Sequence, residues 1–140
     1  FVKQALSNAP ITVYGNGEQK RCFAHVRDIV PALLKVMEED KANGQVFNLG
    51  NDEEISMLKL AKKIKQLTCS NSVIKIIPYN EAYAVGFEDM LKRVPDLSKI
   101  GALISYKAKY SLEDILRDII NHEKTKRLSA NPLEETHIGG

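Results

Sequence analysis

The sequence has few of the features that mark disulfide-rich, membrane-bound or nucleic-acid-binding proteins. Its 140 residues include two cysteines and no tryptophan, and only 6% are aromatic. Two cysteines cannot build the disulfide framework of a small secreted domain, so a reducing, cytoplasmic setting is expected. The longest apolar run, 29–34, is far too short to cross a bilayer. The 20 basic and 18 acidic residues are interspersed, which leaves no field of one sign for nucleic acid or a membrane surface.

The chain also lacks the motifs that hold NAD and carry out its chemistry. Residues 15–17 read Gly-Asn-Gly, but Lys20 stands where the dinucleotide fingerprint needs its third glycine, and a strand pattern follows instead of a helix. None of the five tyrosines is followed four residues later by a lysine. The three histidines are scattered, without cysteine or carboxylate clusters. The sequence therefore predicts no catalytic, cofactor-binding or metal-binding residue here, and predicts that the isolated chain is inactive.

What the sequence does contain is an alternation of strand and helix patterns. With 44% hydrophobic and 27% charged residues, the composition is that of one soluble globular domain. Runs of β-branched or apolar residues predict strands, and apolar residues at helical spacing predict helices. The predicted strands are 11–14, 21–23, 46–49 and 73–77, and the predicted helices are 1–6, 29–37, 57–67, 97–103 and 112–120. This order indicates the α/β class.

Polar side chains mark the starts of four predicted helices. Asp28, Ser56 and Asp96 each precede an apolar helical face, where a side-chain oxygen can accept a free amide hydrogen. Ser111 and Asp114 together approximate a capping box. Each predicted start is therefore tied to a named side chain.

Three further segments carry structural predictions. The run 46–49 lacks alternation, which predicts a strand buried on both faces, as in a parallel sheet. Most of 79–95 is predicted to be loop. After residue 124 the chain turns polar and loses its periodicity, so 1–124 is predicted to be a folded domain and 125–140 a disordered tail.

Two arginines occupy positions that suit an anion. Arg21 follows the glycine turn, and Arg93 stands at the end of a loop, just before a predicted helix. A guanidinium group binds two phosphate oxygens at once and does not lose its charge. An ordinary salt bridge, for instance Arg21 with Asp28 or Arg93 with Asp89, accounts for the same residues.

Several segments together resemble the extended short-chain dehydrogenase/reductase family. The narrower likeness is to its UDP-glucose 4-epimerase and UDP-glucuronate decarboxylase branch, and it covers about residues 1–122. The matching segments, in the family's order and spacing, are PITVYGNGEQKRCF at 10–23, VRDIV at 26–30, VFNLG at 46–50 and FEDMLKRVPDLSK at 87–99. One departure is ISYKA at 104–108, where the family has Leu-Gly-Trp-x-Pro.

The resemblance implies that the chain is the C-terminal, substrate-binding part of an NAD-dependent epimerase or dehydratase. In that family the N-terminal Rossmann half, absent here, holds NAD and the Tyr-x-x-x-Lys pair, while the C-terminal part closes over the nucleotide diphosphate. By position, Arg21 is implied to contact the diphosphate, Arg93 to approach nucleotide or phosphate, and Asp89 to lie near the ribose. Gln19 and Phe23 are assigned to holding the loop and to packing.

Two functions follow as hypotheses. In the first, the chain is the UDP-sugar-binding portion of a UDP-glucose 4-epimerase-like enzyme, with a UDP-glucuronate decarboxylase or a nucleotide-sugar 4,6-dehydratase as alternatives. NAD then belongs to the parent enzyme, and the partners are the nucleotide sugar and the missing Rossmann half. In the second, the chain is a non-catalytic binding or assembly module, because 29–37 and 46–49 would be exposed without that half and could drive self-association.

Overall fold

The computed structural model describes residues 1–82 and 90–130. A 3-10 turn, Asp40–Ala42, follows the second of its α-helices. The other elements are, in chain order, α1 (Val2–Leu6), β1 (Ile11–Tyr14), β2 (Lys20–Cys22), α2 (Val26–Met37), β3 (Glu54–Ser56), α3 (Met57–Leu67), β4 (Ile74–Ile77), α4 (Tyr79–Ala82), α5 (Ser98–Ile104) and α6 (Leu112–Ala130). Short strands alternate with helices, so the predicted α/β class is confirmed.

The hydrophobic core forms around β1. This strand pairs in parallel with β4, with Ile11 opposite Ile74 and Val13 opposite Ile76. Ile11 and Val13 are fully buried, because alternate residues of a strand point to the same face. The buried residues packed with them come from α1, α3 and α6 and are Ala5, Leu60, Ala61, Ile64, Leu112 and Leu116. Three helices therefore close the core over one strand.

Although only a tight turn separates β2 from β1, the two strands belong to different sheets. β2 pairs antiparallel with β3, and Lys20 also forms a parallel bridge with Lys92. Gly15 and Gly17 in the turn have φ of +68° and +75°, which glycine adopts without steric cost. A side chain at Gly15 would also collide with the ring of Tyr79. The turn thus carries the chain from the core sheet to a second, smaller one.

The start of α2 is capped by His25 and not by Asp28. The Nδ1 atom of His25 accepts the Arg27 amide at 3.0 Å. Asp28 is buried within the first turn, and its Oδ2 accepts the backbone amides of Lys109 and Tyr110, both at 3.1 Å. The prediction that Asp28 caps this helix is wrong, because His25 is the N-cap residue. The Asp28 carboxylate instead binds the segment before α6.

The predicted apolar face of α2 forms, but much of it is exposed to solvent. Leu34 is 56% exposed and Met37 is 81% exposed. Among the apolar residues of α2, Ala32 is buried. An amphipathic helix normally covers its apolar face with another element. In the described part of the chain, α2 does so only in part.

Residues 46–49 do not form the predicted strand. Val46 is 84% exposed, and its carbonyl accepts a hydrogen bond from Lys99 Nζ at 2.9 Å. The same ammonium group lies 4.6 Å from the centre of the Phe47 ring. The prediction of a strand buried on both faces is wrong for this chain, because no strand among residues 1–82 and 90–130 pairs with this segment.

The predicted caps at Ser56 and Ser111 are confirmed, whereas the N-cap of α5 is Leu97 and Asp96 lies one residue before it. Ser56 Oγ accepts an amide in the first turn of α3 at 3.3 Å. Asp96 Oδ1 accepts the amide at the start of α5 at 2.9 Å. Ser111 and Asp114 form the reciprocal pair, with the Ser111 amide bound to Asp114 Oδ2 at 2.9 Å and the Asp114 amide bound to Ser111 Oγ at 3.2 Å.

Helix α6 is longer than predicted. It continues to Ala130, so residues 125–130 are helical and not part of a disordered tail. Arg127 Nη2 donates to the Lys3 carbonyl at 2.9 Å, which ties this extension to α1. Its buried face consists of Leu112, Ile115, Leu116 and Ile120. The remainder of the predicted tail, 131–140, lies outside the described residues.

Candidate functional site

The chain around β2 brings together the two segments that carry the predicted arginines. β3 lies on one side of β2. On the other side, the Lys20 amide donates to the Leu91 carbonyl at 2.8 Å, and Lys20 bridges Lys92 in parallel. Arg21 follows Lys20 and Arg93 follows Lys92, so each arginine stands one residue beyond the bridge. Two arginines that are distant in sequence therefore lie on neighbouring segments.

Backbone carbonyls direct the guanidinium group of Arg21. Its Nη1 donates to the carbonyls of Lys20 at 2.7 Å and of Met90 at 2.9 Å. The second bond reaches the segment that carries Arg93. The Arg21 side chain is partly exposed, and Arg93 is exposed. Arg21 is thus fixed at the border of the two segments while keeping access to solvent.

A carboxylate that the sequence did not single out lies close to this pair. Glu54 Oε2 is 3.7 Å from Lys20 Nζ and 3.4 Å from Lys92 Nζ. Glu54 stands opposite Cys22 in the β2–β3 pairing. Because strand residues alternate between faces, Lys20, Cys22, Glu54 and Lys92 share one face of the sheet, and Arg21 belongs to the other. We call these four residues the ion-pair face. The sequence holds one weak signal for this face, because Glu54 lies two residues before the predicted cap at Ser56.

The ion-pair face changes the chemistry of its thiol. Burial first, and then the nearby Glu54 carboxylate, raise the pKa of the Cys22 thiol above its usual value. A raised pKa keeps the thiol neutral near pH 7, and the neutral form is a poor nucleophile. The Cys22 thiol is therefore less reactive than a thiol of ordinary pKa.

The turn before β2 is anchored to the start of α3. Gln19 is 7% exposed, and its Nε2 donates to the Tyr14 carbonyl at 2.9 Å. The carbonyls of Gln19 and Gly17 accept the amides of Met57 at 3.1 Å and Leu58 at 3.0 Å. The prediction that Gln19 holds the loop is confirmed. Since these first amides of α3 are already bound, the helix start cannot receive a phosphate.

The other predicted residues lie in separate places. Phe23 packs against the core cluster, as predicted. Asp28 gives its carboxylate to the amides of 109–110, so its structural role is not the salt bridge considered for Arg21. Asp89, predicted near the ribose and alternatively as a partner of Arg93, lies outside the described residues.

A groove of about 610 Å³ lies between the start of α2 and α6. In its wall, His25 Nε2 is 3.1 Å from Asp118 Oδ2, and Arg27 Nη2 is 3.3 Å from the same oxygen. His25 Nδ1 accepts the Arg27 amide, so Nε2 carries the hydrogen and donates to Asp118. Its ring stacks against Tyr110 with centroids 4.4 Å apart. Both ring nitrogens are engaged, which makes this histidine a structural link and not a general base.

Residues 1–82 and 90–130 contain no group of three or more histidine, cysteine or acidic side chains able to hold a metal ion. Over the same ranges, no helix is both long enough and apolar enough to span a bilayer.

The sequence of the chain has relatives among nucleotide-sugar enzymes. Residues 1–119 match the family model described as GDP-mannose 4,6 dehydratase. The chain is 38% identical over 120 residues to a UDP-N-acetyl-alpha-D-glucosaminuronate decarboxylase of Bacillus cytotoxicus, covering 86% of this chain and 37% of that protein. It is 40% identical over 112 residues to UDP-glucuronic acid decarboxylase 2 of Arabidopsis thaliana, covering 80% of this chain and 23% of that protein.

The structure has a matching relative. A UDP-glucose 4-epimerase of Thermotoga maritima, crystallised with UDP-glucose, superimposes with a TM-score of 0.78 and 25% identity, covering 90% of this chain and 38% of that one. The chain therefore spans well under half the length of these relatives. The family match covers most of the chain itself, with its strands, helices and arginine segments. The chain belongs to the extended short-chain dehydrogenase/reductase family of NAD-dependent nucleotide-sugar epimerases and dehydratases.

Proposed function

We propose that the chain is the nucleotide-sugar-binding portion of an NAD-dependent enzyme that acts on a UDP-sugar. The observation that carries this proposal is the juxtaposition of Arg21 on β2 with Arg93 on the neighbouring segment. A ligand that touches both arginines bridges two parts of the chain. A diphosphate suits this arrangement, because each guanidinium fork accepts two anionic oxygens.

Cofactor and catalytic groups are proposed to come from the rest of the parent protein. The described residues do not fit NAD, because the glycine turn leads into a strand and the first amides of α3 are bound by Gly17 and Gln19. The sequence also contains no Tyr-x-x-x-Lys pair. In the complete enzyme, this chain then orients the nucleotide diphosphate while the N-terminal Rossmann half holds NAD and the acid–base pair.

Two reactions of the parent enzyme have separate support. The two decarboxylase relatives, at 38% and 40% identity, favour loss of the carboxylate from a UDP-sugar acid. The likeness to the Thermotoga epimerase favours 4-epimerisation, which the sequence segments also predict. Incubation of the full-length protein with NAD and either UDP-glucuronate or UDP-glucose separates them. Carbon dioxide release identifies a decarboxylase, and formation of UDP-galactose identifies an epimerase.

A non-catalytic assembly role is a second candidate for the isolated chain. It is favoured by the exposed apolar face of α2, on which Leu34 and Met37 are mostly exposed, and by the exposed Val46. Apolar surface of this kind drives association when its usual cover is missing. This role needs no chemistry from the chain.

Replacing either arginine tests the proposed ligand site. In the full-length protein, Arg21→Ala and Arg93→Ala should each weaken UDP binding by about 1.5–3 kcal/mol, because each variant removes charged hydrogen bonds to the diphosphate. Isothermal titration calorimetry measures the change. Arg117→Ala is the matched control, since Arg117 pairs with Glu113 on the surface of α6 at 2.7 Å and should leave affinity unaltered. Wild-type affinity in both site variants would contradict the proposal.

A further inference from the structure

One side chain connects three segments around the proposed diphosphate site. Glu54 belongs to β3, Lys20 to β2 and Lys92 to the segment that leads into Arg93. The Glu54 Oε2 atom lies within 4 Å of both ammonium groups, at 3.7 and 3.4 Å. The two lysines immediately precede the two arginines in sequence. Holding the lysines together therefore fixes the backbone positions from which the arginines project.

The burial of Glu54 is unusual for a group that acts only as a surface charge. Its side chain is 24% exposed, and its Oε1 atom is buried without a hydrogen-bond partner among residues 1–82 and 90–130. Such an oxygen opposes folding, because it loses water without gaining a donor. Its lysine partners are 49% and 63% exposed, and exposed ion pairs add little to stability. The ion pairs of Glu54 therefore contribute little to the overall stability of the fold.

The geometry also separates the ion pairs from the ligand. Strand alternation puts Glu54, Lys20 and Lys92 on the ion-pair face and Arg21 on the opposite face. A diphosphate bound by the arginines would meet the guanidinium groups without displacing Glu54 from its lysines. The carboxylate can then remain paired while the site is occupied.

We infer that Glu54 is a positioning residue, which keeps β2 and the Lys92 segment in register so that Arg21 and Arg93 engage one diphosphate. This inference rests on the proposed function. Simple electrostatics gives the opposite expectation, because removing a negative charge near an anion site strengthens its attraction for an anion. The sign of the effect therefore separates positioning from charge alone.

The test compares Glu54→Gln with Glu53→Gln in the full-length protein. Both changes remove one negative charge from the same stretch, but Glu53 is exposed and only Glu54 pairs with the two lysines. Calorimetry with UDP and with UMP gives two affinities for each variant. Glu54→Gln should weaken UDP binding by about tenfold, since small displacements of positioning groups have large effects. UMP binding should fall less, so the ratio of UDP to UMP affinity drops. Glu53→Gln should leave the ratio unaltered.

An unchanged ratio, or tighter UDP binding, in Glu54→Gln overturns the inference. Arg21→Ala and Arg93→Ala, measured in the same series, keep the two claims apart. If neither arginine variant weakens UDP binding, the proposed function fails; if they do and Glu54→Gln does not, only the role of Glu54 fails. Should Glu54→Gln prove unfolded in a thermal melt, Glu54→Asp replaces it. This change keeps the negative charge but shortens the side chain and draws the carboxylate back from the two lysines, so the ratio should again drop, and an unchanged ratio overturns the inference.

Discussion

At the residue scale, the ion-pair face affects the pKa of the Cys22 thiol. Burial and the Glu54 carboxylate raise its thiol pKa, whereas Cys69 is exposed just after α3. Because the thiolate is the nucleophile, we expect iodoacetamide at about pH 8 to modify Cys69 well before Cys22. Peptide mass spectrometry over a time course measures both rates.

Replacing Glu54 by glutamine tests why the two thiols differ in their rate of modification. The substitution removes one of the two main causes of the raised Cys22 pKa, so the Cys22 rate should increase while the Cys69 rate stays constant. Equal rates for the two thiols in the wild-type chain would contradict the account of this environment.

The sequence predicted the hydrogen bonds of single side chains correctly where the partner amides are close in sequence. The caps at Ser56 and Ser111 and the hydrogen bond of Asp96 could be predicted, because each side chain binds an amide two or three residues away. Asp28 could not be, since its partners are the amides of 109–110, some 81 and 82 residues on. Local hydrogen bonds follow from residue order, and long-range ones depend on how the whole chain folds.

At the scale of elements, the capping box at the start of α6 gives a direct stability test. Ser111→Ala removes the hydroxyl that accepts the Asp114 amide, and loss of such a cap costs about 1 kcal/mol. Thermal and urea unfolding followed by circular dichroism should show that loss. Ser129→Ala is the control, because the hydroxyl of this exposed serine near the end of α6 donates to the carbonyls of Thr125 at 3.0 Å and Lys126 at 3.1 Å and caps no helix start. An equal effect of both substitutions would count against the capping box.

The same pair predicts a pH dependence. Hydrogen bonds from the Ser111 side chain and then its amide lower the pKa of the Asp114 carboxyl from 3.8. A lowered folded-state pKa means that the stabilisation is present above the unfolded pKa and is lost as pH falls through the folded value. Between about pH 5 and about pH 3, the wild type should therefore lose more stability than Asp114→Asn. Parallel urea melts that fall equally would show that the pair adds nothing.

Strand pairing explains which elements the sequence could not predict. The segments 11–14 and 74–77 both have strand patterns, yet their parallel pairing joins distant parts of the chain. Residues 46–49 have an equally apolar pattern but pair with no strand in the described residues. Strand propensity describes a segment that fits a sheet, and the sheet itself must be supplied by other segments. For 46–49 we propose that the missing half of the parent enzyme supplies it.

At the scale of the whole molecule, the exposed face of α2 bears on how the isolated chain behaves. Leu34 and Met37 together present a large apolar surface, so we expect the chain to self-associate as its concentration rises. Sedimentation velocity over a concentration series measures this. Leu34→Glu combined with Met37→Glu should restore the monomer, whereas Leu128→Glu, at an exposed position late in α6, should not. A clean monomer of the wild type at high concentration would refute the expectation.

The candidate site could be predicted in part. The sequence segments pointed to Arg21 and Arg93 separately, by resemblance and by guanidinium chemistry. The neighbouring placement of their two segments arises from the bridge between Lys20 and Lys92, which no local pattern encodes. Glu54 went unnoticed for the same reason, because its meaning depends on two lysines that the fold brings to it.

A crystal structure of the full-length protein with UDP bound tests the central claim most directly. We expect the diphosphate oxygens to lie within about 3 Å of the guanidinium nitrogens of both Arg21 and Arg93, with Glu54 still paired to its lysines. A diphosphate bound elsewhere, with neither arginine in contact, would contradict it.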